Sequence, residues 1–248
     1  MSRTARLLLT TLSGGGGGGY SMDTTSLVSY WQLEEASGTR ADAWGTNDLT
    51  PTNTPANAAG IVGNAAAFVS ASSQQLVCAN NATLQSGNID HTVAAWIYPT
   101  ASPGSACIIC KTDADSGAAA DGYEWMLYTV GTKVRFLVGK GPTGSGAANS
   151  SNVTSDVDFN LNAWNYVEGF YDNAGTLGVV VNGTLKTGAS SVVTSTTTGS
   201  VRIGAIGPGS SYFAGRVDEV SFWKRLLTTD EREYLYNGGA GRVPSFLA

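Results

Sequence analysis

The segment from 163 to 239 limits how this 248-residue chain can fold more than any other part of it. In Trp164–Tyr171 two sets of residues alternate with a period of two, which is typical of a β-strand. Asn182-Gly183 follows a second β-rich run and favours a two-residue hairpin turn. Val201–Ile206 and Tyr212–Trp223 are two further predicted strands. The segment therefore predicts antiparallel strands that form the closing half of a large β-sandwich.

A short helix is predicted directly after the last of these strands. Thr228 and Glu231 have the spacing of a capping box, in which each side chain bonds to the backbone of the other residue. Asn237-Gly238-Gly239 follows, and these residues tolerate the left-handed conformation that ends a helix. The sequence therefore predicts where this helix begins and where it ends.

Other strands are predicted from apolar runs that are separated by turn residues. They are Leu27–Leu33, Asn64–Val69, Gln75–Cys78, His91–Tyr98, Ala106–Lys111, Tyr123–Val130, Lys133–Val138 and Leu177–Val181. Both faces of His91–Tyr98 are apolar, so we expect this strand to lie centrally and to be covered on both sides.

The composition agrees with an all-β protein. Charged residues make up 13% of the chain, against a usual value of about 25%, and the 32 glycines are close to twice the ordinary share of about 7%. Such a chain consists of short strands joined by many turns. Its length suits one large β domain, which we place at 24–248, after an N-terminal arm at 1–23.

The charge excludes one class of partner. The formal net charge is −5, and no cluster of basic residues is present that could neutralise phosphates. We therefore expect no nucleic-acid partner. The apolar run near the N-terminus is far shorter than the roughly 20 residues that cross a bilayer, so no membrane partner is expected either.

The N-terminal arm is predicted to bind another protein. Its apolar residues lie close together, at Leu7, Leu8, Leu9 and Leu12. The run of six glycines at 14–19 would act as a flexible joint. The apolar run is too short and too interrupted for a signal peptide, and no cleavage site of small residues follows it. The arm therefore predicts docking on a neighbouring subunit.

The three cysteines do not form a closed set of disulfides. Cys107 and Cys110 have the CxxC spacing of zinc or redox sites, but no second pair accompanies them, and Cys78 stands apart. Residues three apart on a regular strand point to opposite faces. We therefore predict that Cys107 and Cys110 are buried and reduced.

Five segments together resemble a known family. They are LVSYWQLEEASGT, GNAAAFV, HTVAAWIYP, AWNYVEGFYD with LGVVVNG, and YFAGRVDEVSFWKRLLTTDEREYLYNGG. In this order they are similar to laminin-G-like, concanavalin A-like jelly-roll domains, in the single-domain form of bacterial surface and phage structural proteins. The resemblance covers Ser26 to Gly241. It implies an all-β jelly-roll sandwich of two antiparallel sheets with one short C-terminal helix, and ligand sites on the concave face or in edge loops.

Catalysis is not predicted, although related jelly rolls include glycoside hydrolases. The resemblance implies that such an enzyme would carry Glu-x-Asp-x-(x)-Glu on one strand, and this pattern is absent. Asp218 and Glu219 are adjacent, so a regular strand would point them in opposite directions. The single histidine, His91, opens a strand without an evident nucleophile partner. We expect a protein that is not an enzyme.

A structural calcium ion is the one cofactor that the resemblance implies. In similar domains the aspartate at the position of Asp218 often contributes a carboxylate to calcium. Asp42 is the second candidate ligand, in a loop that also holds Asn47 and Asp48. The alternative is that Asp218 is a hydrogen-bonded carboxylate that caps a neighbouring turn.

Three aromatic residues are candidates for a sugar-binding platform, namely Trp44, Trp125 and Tyr212. A sugar ring would stack on an exposed aromatic face beside Asn or Asp side chains. Burial is the alternative for each of them. Trp31, Trp96 and Trp164 lie within alternating strands and are predicted to be core residues.

These features favour a non-catalytic structural or recognition protein. The first hypothesis is a phage virion surface component (a capsid decoration, head-fibre or tail-associated protein) that is homo-oligomeric and anchored by its arm to other assembly proteins. It would display a lectin-like domain at the virion surface and could bind glycans. The alternative is a free or cell-surface carbohydrate-binding module with an extracellular location, and the remote alternative is a glycoside hydrolase.

Overall fold

The computed structural model describes residues 20–102, 104–113, 122–141, 149–207 and 211–247. Two antiparallel sheets pack face to face, and one short helix lies on the outside. This architecture confirms the prediction of an all-β jelly-roll sandwich. The predicted arm residues Leu7, Leu8, Leu9 and Leu12 lie outside the described residues.

One sheet has eight strands. They are β1 (Leu27–Trp31), β3 (Ala56–Ala59), β4 (Asn64–Phe68), β6 (His91–Pro99), β11 (Asn165–Asp172), β12 (Thr176–Val181), β13 (Thr184–Ala189) and β15 (Gly215–Trp223). Their order is β13-β12-β11-β6-β15-β4-β3, and β1 also pairs with β15. The position of β6 between β11 and β15 confirms that this strand is central.

The other sheet has seven strands. They are β2 (Thr50–Thr52), β5 (Gln75–Cys78), β7 (Ser105–Thr112), β8 (Tyr123–Val130), β9 (Lys133–Gly139), β10 (Ser150–Thr154) and β14 (Val201–Ile203). Their order is β10-β9-β8-β7-β14-β5-β2. The predicted strand Val201–Ile206 is thus three residues shorter than expected, and Tyr212–Trp223 begins only at Gly215.

The main core lies between the two sheets. Its largest fully buried side chains include Trp31, Trp125, Phe136 and Phe222. Full burial of a side chain of this size stabilises the fold by roughly 2–3 kcal/mol. Trp31 therefore has the core position that the sequence predicts, whereas Trp125 does not have the exposure expected of a ligand-binding residue.

The outer face of the eight-stranded sheet carries a second apolar cluster, which is covered by helix α1 (Thr229–Tyr236). Both bonds of the predicted capping box between Thr228 and Glu231 are present. Trp96 is buried in this second cluster, and its ring lies nearly parallel to that of Tyr236 with centroids 6.0 Å apart. Trp164 is only half-buried at the edge of the same cluster. The core prediction is therefore confirmed for Trp96 and holds only in part for Trp164.

Strand β15 is shared between two partners. Its first part, from Gly215 to Val217, pairs with β4, and its last part, from Val220 to Trp223, pairs with β1. The register shifts between these parts, where Glu219 has a φ of 48°. This bulge lets one strand hold two neighbours on the same side.

The prediction of reduced cysteines is wrong, because Cys107 and Cys110 form a disulfide. Ile108 is an extra residue in β7, since Cys107 lies opposite Tyr128 and Ile109 lies opposite Leu127. A bulge of this kind changes which face the following side chains occupy. Both cysteines therefore lie on the outer face of the seven-stranded sheet, and Cys78 is the free cysteine.

Packing of the domain begins before the predicted boundary at Thr24. Met22 is buried against the outer cluster, and the ring of Tyr20 lies 4.8 Å from that of Tyr234 on α1. Residues 20–22 and helix α1 thus meet on the same face of the sandwich. None of the helices in the described parts of the chain has the length and apolar character needed to cross a membrane.

Candidate ligand-binding site

The loop that follows β1 is organised by the carboxylate of Asp42. Its Oδ1 accepts hydrogen bonds from the backbone N–H groups of Trp44 at 3.1 Å and Gly45 at 2.9 Å. The same oxygen accepts from Tyr30 N at 2.9 Å, and Oδ2 accepts from Asn47 N at 3.1 Å. An aspartate that bonds to its own following backbone builds a compact turn. We call residues 42–48 the Asp42 loop.

The Asp42 loop packs directly on β1. A Cβ atom placed on Gly45 would come within 2.5 Å of the Val28 carbonyl oxygen and 2.6 Å of Oδ2 of Asp42. Real Cβ atoms do not approach backbone oxygens so closely, so glycine is the residue that fits here. The loop is therefore held close to the strand by sterics as well as by hydrogen bonds.

Trp44 projects from this loop toward solvent. Its side chain is 40% exposed, and it is the only tryptophan with this exposure in the described part of the chain. The indole N–H donates to the Leu27 carbonyl at 3.0 Å, and the Phe246 ring meets it edge-on at 5.4 Å. The ring is therefore exposed and fixed at once, as the sequence hypothesis for Trp44 requires.

A polar network lies beside the loop. The amide nitrogen of Asn47 donates to Oγ of Ser29 at 2.8 Å, and its amide oxygen accepts from the Asn81 amide at 2.7 Å. Thr83 Oγ1 donates to the Asn81 amide oxygen at 2.6 Å. These bonds fix amide and hydroxyl groups in position next to Trp44.

These elements enclose a surface groove of about 290 Å³. It is lined by Leu27, Val28, Gly45, Thr46, Asn47, Thr83 and Lys224. Trp44 adjoins it, because the residue precedes Gly45 and bonds to Leu27. We call this depression the Trp44 groove.

Lys224 forms one wall of the Trp44 groove. Its Nζ donates a long hydrogen bond of 3.4 Å to the Ala82 carbonyl, next to Thr83. Partial burial lowers the pKa of this ammonium group from its ordinary value. The groove therefore combines an aromatic ring, amides, a hydroxyl and a cation.

The other two predicted platform residues differ from Trp44. Trp125 is fully buried in the main core, with its ring 5.3 Å from that of Phe222, so its assignment to ligand binding is wrong. Tyr212 is half-buried and lines a shallow groove of about 510 Å³. The other residues that line it are Ser70, Ala71, Ala101, Ser105, Ser211 and Ala214.

The two grooves lie at opposite ends of the β6–β15 pair. Gly215 of β15 lies opposite Pro99, next to the Tyr212 groove, and Trp223 lies opposite Thr92, next to the Trp44 groove. The structure thus separates Trp44 and Tyr212, which the sequence grouped as one class of candidate.

The residues proposed for calcium do not fit that ion. Oδ2 of Asp218 accepts from Ile61 N at 2.9 Å and Val62 N at 3.3 Å, and Oδ1 accepts from Glu219 N at 2.9 Å. Calcium takes six to eight oxygen ligands, whereas N–H groups present positive ends to a carboxylate. Asp42 is likewise surrounded by N–H donors, and the two residues share none of these partners.

Other acidic groups do not complete a metal site. No cluster of three or more His, Cys, Asp or Glu side chains suited to a metal occurs among the described residues. The geometry of Asp218 matches the alternative interpretation, a hydrogen-bonded carboxylate that caps a turn. Burial raises its pKa to about 7, against the lowering effect of its three backbone hydrogen bonds.

The groups considered for catalysis are all buried. Glu219 accepts a short hydrogen bond from the Tyr30 hydroxyl, and burial raises its pKa to about 8. The ring of His91 lies among aromatic rings, with Nδ1 3.0 Å from the Ile89 carbonyl, and burial lowers its pKa to about 4. Because Asp218 and Glu219 are covered by protein, neither can reach a glycosidic bond in solution.

Comparison with known proteins now places this fold. The family model described as the concanavalin A-like lectin/glucanases superfamily, Laminin_G_3, matches residues 71–231. The chain belongs to this family. A search of curated proteins gives no match.

Several solved structures of similar fold are toxin binding domains. The binding domain of Paraclostridial Mosquitocidal Protein 1 matches with a TM-score of 0.69 and 13% identity, over 87% of this chain and 53% of that one. The botulinum neurotoxin serotype G binding domain matches with a TM-score of 0.60 and 12% identity, over 85% and 50%. This chain thus spans about half the length of these toxin domains.

One neighbour matches over nearly its whole length. Domain 4 of an extracellular arabinanase from Geobacillus stearothermophilus, solved in complex with arabinotriose, has a TM-score of 0.63 and 16% identity. The match covers 88% of this chain and 98% of that domain. At these identities the likeness is one of fold.

Sequence reasoning missed part of the Trp44 groove. Lys224 follows the last strand and Thr83 belongs to an early loop, so they are far apart in the sequence and meet only through the pairing of β1 with β15. Asn81 begins an Asn-x-Thr sequence whose polar residues join the groove network. That local cluster is a signal in the sequence that could have identified this loop.

Proposed function

We propose that this chain is a non-catalytic carbohydrate-recognition module and that it binds a glycan in the Trp44 groove. The observation that carries the proposal is Trp44 itself, an exposed indole whose position is fixed by a hydrogen bond and by the ring of Phe246. Large exposed aromatic rings that are held rigidly lose little conformational freedom on binding.

The chemistry of the groove suits a sugar. The apolar face of a sugar ring can stack on an indole, while its hydroxyls require hydrogen-bonding groups at the edge. Asn47, Thr83 and Lys224 provide an amide, a hydroxyl and an ammonium group on the wall of the groove. The volume of about 290 Å³ is near the lower end of the roughly 300–1,000 Å³ typical of small-ligand sites, which suits a short stretch of glycan.

The comparisons support binding as the general role. Proteins of the same fold include a domain solved with arabinotriose and several toxin binding domains. Family membership supports a carbohydrate as the ligand, because the superfamily is described as lectins and glucanases. The burial of Asp218, Glu219 and His91 supports the non-catalytic half of the proposal.

A titration of the full chain with a panel of oligosaccharides tests the proposal. We expect Trp44→Ala to weaken binding at least tenfold, which corresponds to about 1.4 kcal/mol. Tyr20→Ala is the matched control, because Tyr20 is also 40% exposed and also contacts one other ring, but that ring is Tyr234 on α1 and no lining residue of the groove is its neighbour in the chain. Equal affinities for wild type and Trp44→Ala would overturn the assignment of the site.

The disulfide supports the extracellular alternative for location. Disulfides persist in oxidising environments and are rare in reducing cytoplasm. Cys107–Cys110 is therefore best accommodated in a protein that works outside the cell. Mass spectrometry with and without a reductant on secreted material tests this, and free thiols at both positions would contradict it.

The virion-surface role and homo-oligomer formation stay predictions from the sequence. They depend on the arm, and its Leu7–Leu12 segment lies outside the described residues. Light scattering of the full chain and of a variant that lacks residues 1–19 tests them, since this deletion leaves the buried Met22 in place. An oligomer that becomes a monomer on deletion supports assembly through the arm, and equal masses count against self-assembly through it.

A further inference from the structure

The Trp44 groove has one charged side chain in its lining, that of a lysine. Lys224 is the only charged residue that lines the groove, and it forms no ion pair among the described residues. The acid beneath the groove, Asp42, has both carboxylate oxygens occupied by backbone N–H groups. The neighbouring cation, Arg225, pairs with Glu231 at 2.7 Å. Lys224 is therefore a cation with no carboxylate oxygen within 4 Å among the described residues, and Glu124 acts on it only at longer range.

Other lysines with described partners pair with carboxylates. Lys133 lies 3.7 Å from Asp158, and Lys186 lies 3.1 Å from Asp156. The Nζ of Lys224 instead has one long bond to a carbonyl, at 3.4 Å. An ammonium group carries three donors, so hydrogen-bonding capacity remains for a ligand.

Lys224 and Trp44 are fixed to the same short piece of backbone. The backbone N–H of Lys224 donates to the Ser26 carbonyl at 2.8 Å. The Trp44 indole donates to the next carbonyl, that of Leu27, at 3.0 Å. Adjacent carbonyls thus hold both residues at the start of β1, with Lys224 in the wall of the groove and Trp44 next to the lining residue Gly45.

We infer that the Trp44 groove selects an anionic sugar, with the ring stacked on Trp44 and its carboxylate or sulfate group paired with Lys224. The inference rests on the proposed function and adds the class of ligand. The net charge of −5 repels anions at long range. Selection therefore depends on the short-range contact with Lys224, where partial exclusion of water strengthens an ion pair.

The test compares three ligands of similar length on the full chain. They are an oligogalacturonate, its methyl-esterified neutral form and a sulfated oligogalactan. We expect wild type to bind at least one acidic ligand tenfold or more tightly than the neutral form, and the preference to weaken as salt is raised. The carboxylated and sulfated ligands distinguish the two possible sources of the negative charge.

Substitutions at Lys224 complete the test. Lys224→Gln is expected to weaken binding of the acidic ligands much more than binding of the neutral form and so to remove the preference, whereas Lys224→Arg keeps the preference. Lys186→Gln is the matched control, because that lysine is on the surface but pairs with Asp156. Equal affinity of wild type for acidic and neutral ligands, with loss of both in Trp44→Ala, overturns the inference and leaves the proposed function standing. No binding of any of the three ligands counts against both.

Discussion

Asp42 and Asp218 use the same chemistry in two different places. Each carboxylate accepts several backbone N–H groups and thereby fixes a turn. The Asp42 turn lies at the surface and holds Trp44 outward beside a groove. The Asp218 carboxylate is fully buried and ties the half-buried residues 61–62 to the bulge of β15. The same bonding pattern therefore supports the proposed ligand site in one place and the strand framework in the other.

The largest expected difference is in stability. Asp218→Ala would leave the buried N–H group of Glu219 and the part-buried N–H groups of Ile61 and Val62 without their acceptor, at a cost of about 3 kcal/mol in the free energy of unfolding. Urea unfolding measures this. Asp23→Ala is the control, because Asp23 is exposed and accepts from one backbone N–H group, so its cost should be below about 0.5 kcal/mol. Equal costs for the two variants would break the comparison.

At the Asp42 turn we expect a smaller loss of stability than at the Asp218 turn, together with a loss of ligand binding. Asp42→Ala is expected to destabilise the fold by about 2 kcal/mol, because water can reach the part-buried N–H groups of Trp44 and Gly45 once the buried carboxylate is gone. Glycan affinity should fall at least tenfold, since Trp44 and Gly45 lose the oxygen that orders them. Unfolding and titration on the same variant measure both quantities. A variant that keeps full affinity would show that the loop does not depend on this carboxylate.

The pH dependence of stability gives a second measurement on the turn at Asp218. Burial raises the pKa of Asp218 to about 7 and that of Glu219 to about 8. Protonation of these two groups therefore favours the folded state. Their contribution is present at low pH and is lost as pH rises through these values. Between about pH 6.5 and 9 the free energy of unfolding should therefore fall by about 2 kcal/mol.

This pH window avoids the opposing effect of His91. Burial lowers the pKa of its ring to about 4, so its contribution is lost as pH falls from 6.5 toward 4 and not above that range. Asp218→Asn should flatten part of the slope between pH 6.5 and 9. A slope that is unchanged in this variant would assign the dependence to other groups.

A smaller effect is expected from the contact between the Asp42 loop and β1. Gly45→Ala would place a methyl group 2.5 Å from the Val28 carbonyl, so the loop must shift, with a cost of about 1 kcal/mol and a severalfold loss of glycan affinity. Gly188→Ala is the control, because its new methyl would meet Val153 at an ordinary 3.5 Å. Thermal melting and titration compare the two. Equal behaviour would mean that the loop accommodates the methyl group freely.

The smallest expected effect is that of calcium. Since Asp218 and Asp42 are surrounded by N–H donors, adding millimolar calcium or a chelator should leave the melting temperature unchanged. An ion that bound the folded state at 100 times its dissociation constant would add about 2.7 kcal/mol, which is easily measured. A clear rise in melting temperature with calcium would show that one of these turns rearranges to hold it.

The sequence predicted the framework well because local patterns determine it. Asn182-Gly183 forms the predicted hairpin turn, with φ values of 49° and 81°, and Thr228 caps α1 as its spacing indicated. Such signals depend on neighbours in the chain. They do not report which strands later become neighbours in space.

Where the sequence failed, a long-range feature decided the outcome. Ile108 is one extra residue in β7, so the residues after it point to the face opposite to the one that a period of two predicts. This change of face brings Cys107 and Cys110 together. Trp125 lies in a strand buried on both sides, so its pattern gave no orientation. Lys224 joined the site only because β15 returns beside β1.

The shared strand β15 also determines how the domain would respond to mechanical tension between its ends. The start of β1, at Leu27, lies beside the end of β15, at Trp223, so tension between the N-terminal segment and α1 would pull these strands apart from one end. Strands loaded in this way unzip one bond at a time, and the bond from Lys224 to Ser26 is at that end. The Trp44 groove is built on the same joint. Tension between Leu27 and Trp223 would therefore open the proposed ligand site before it disturbed the core between the sheets.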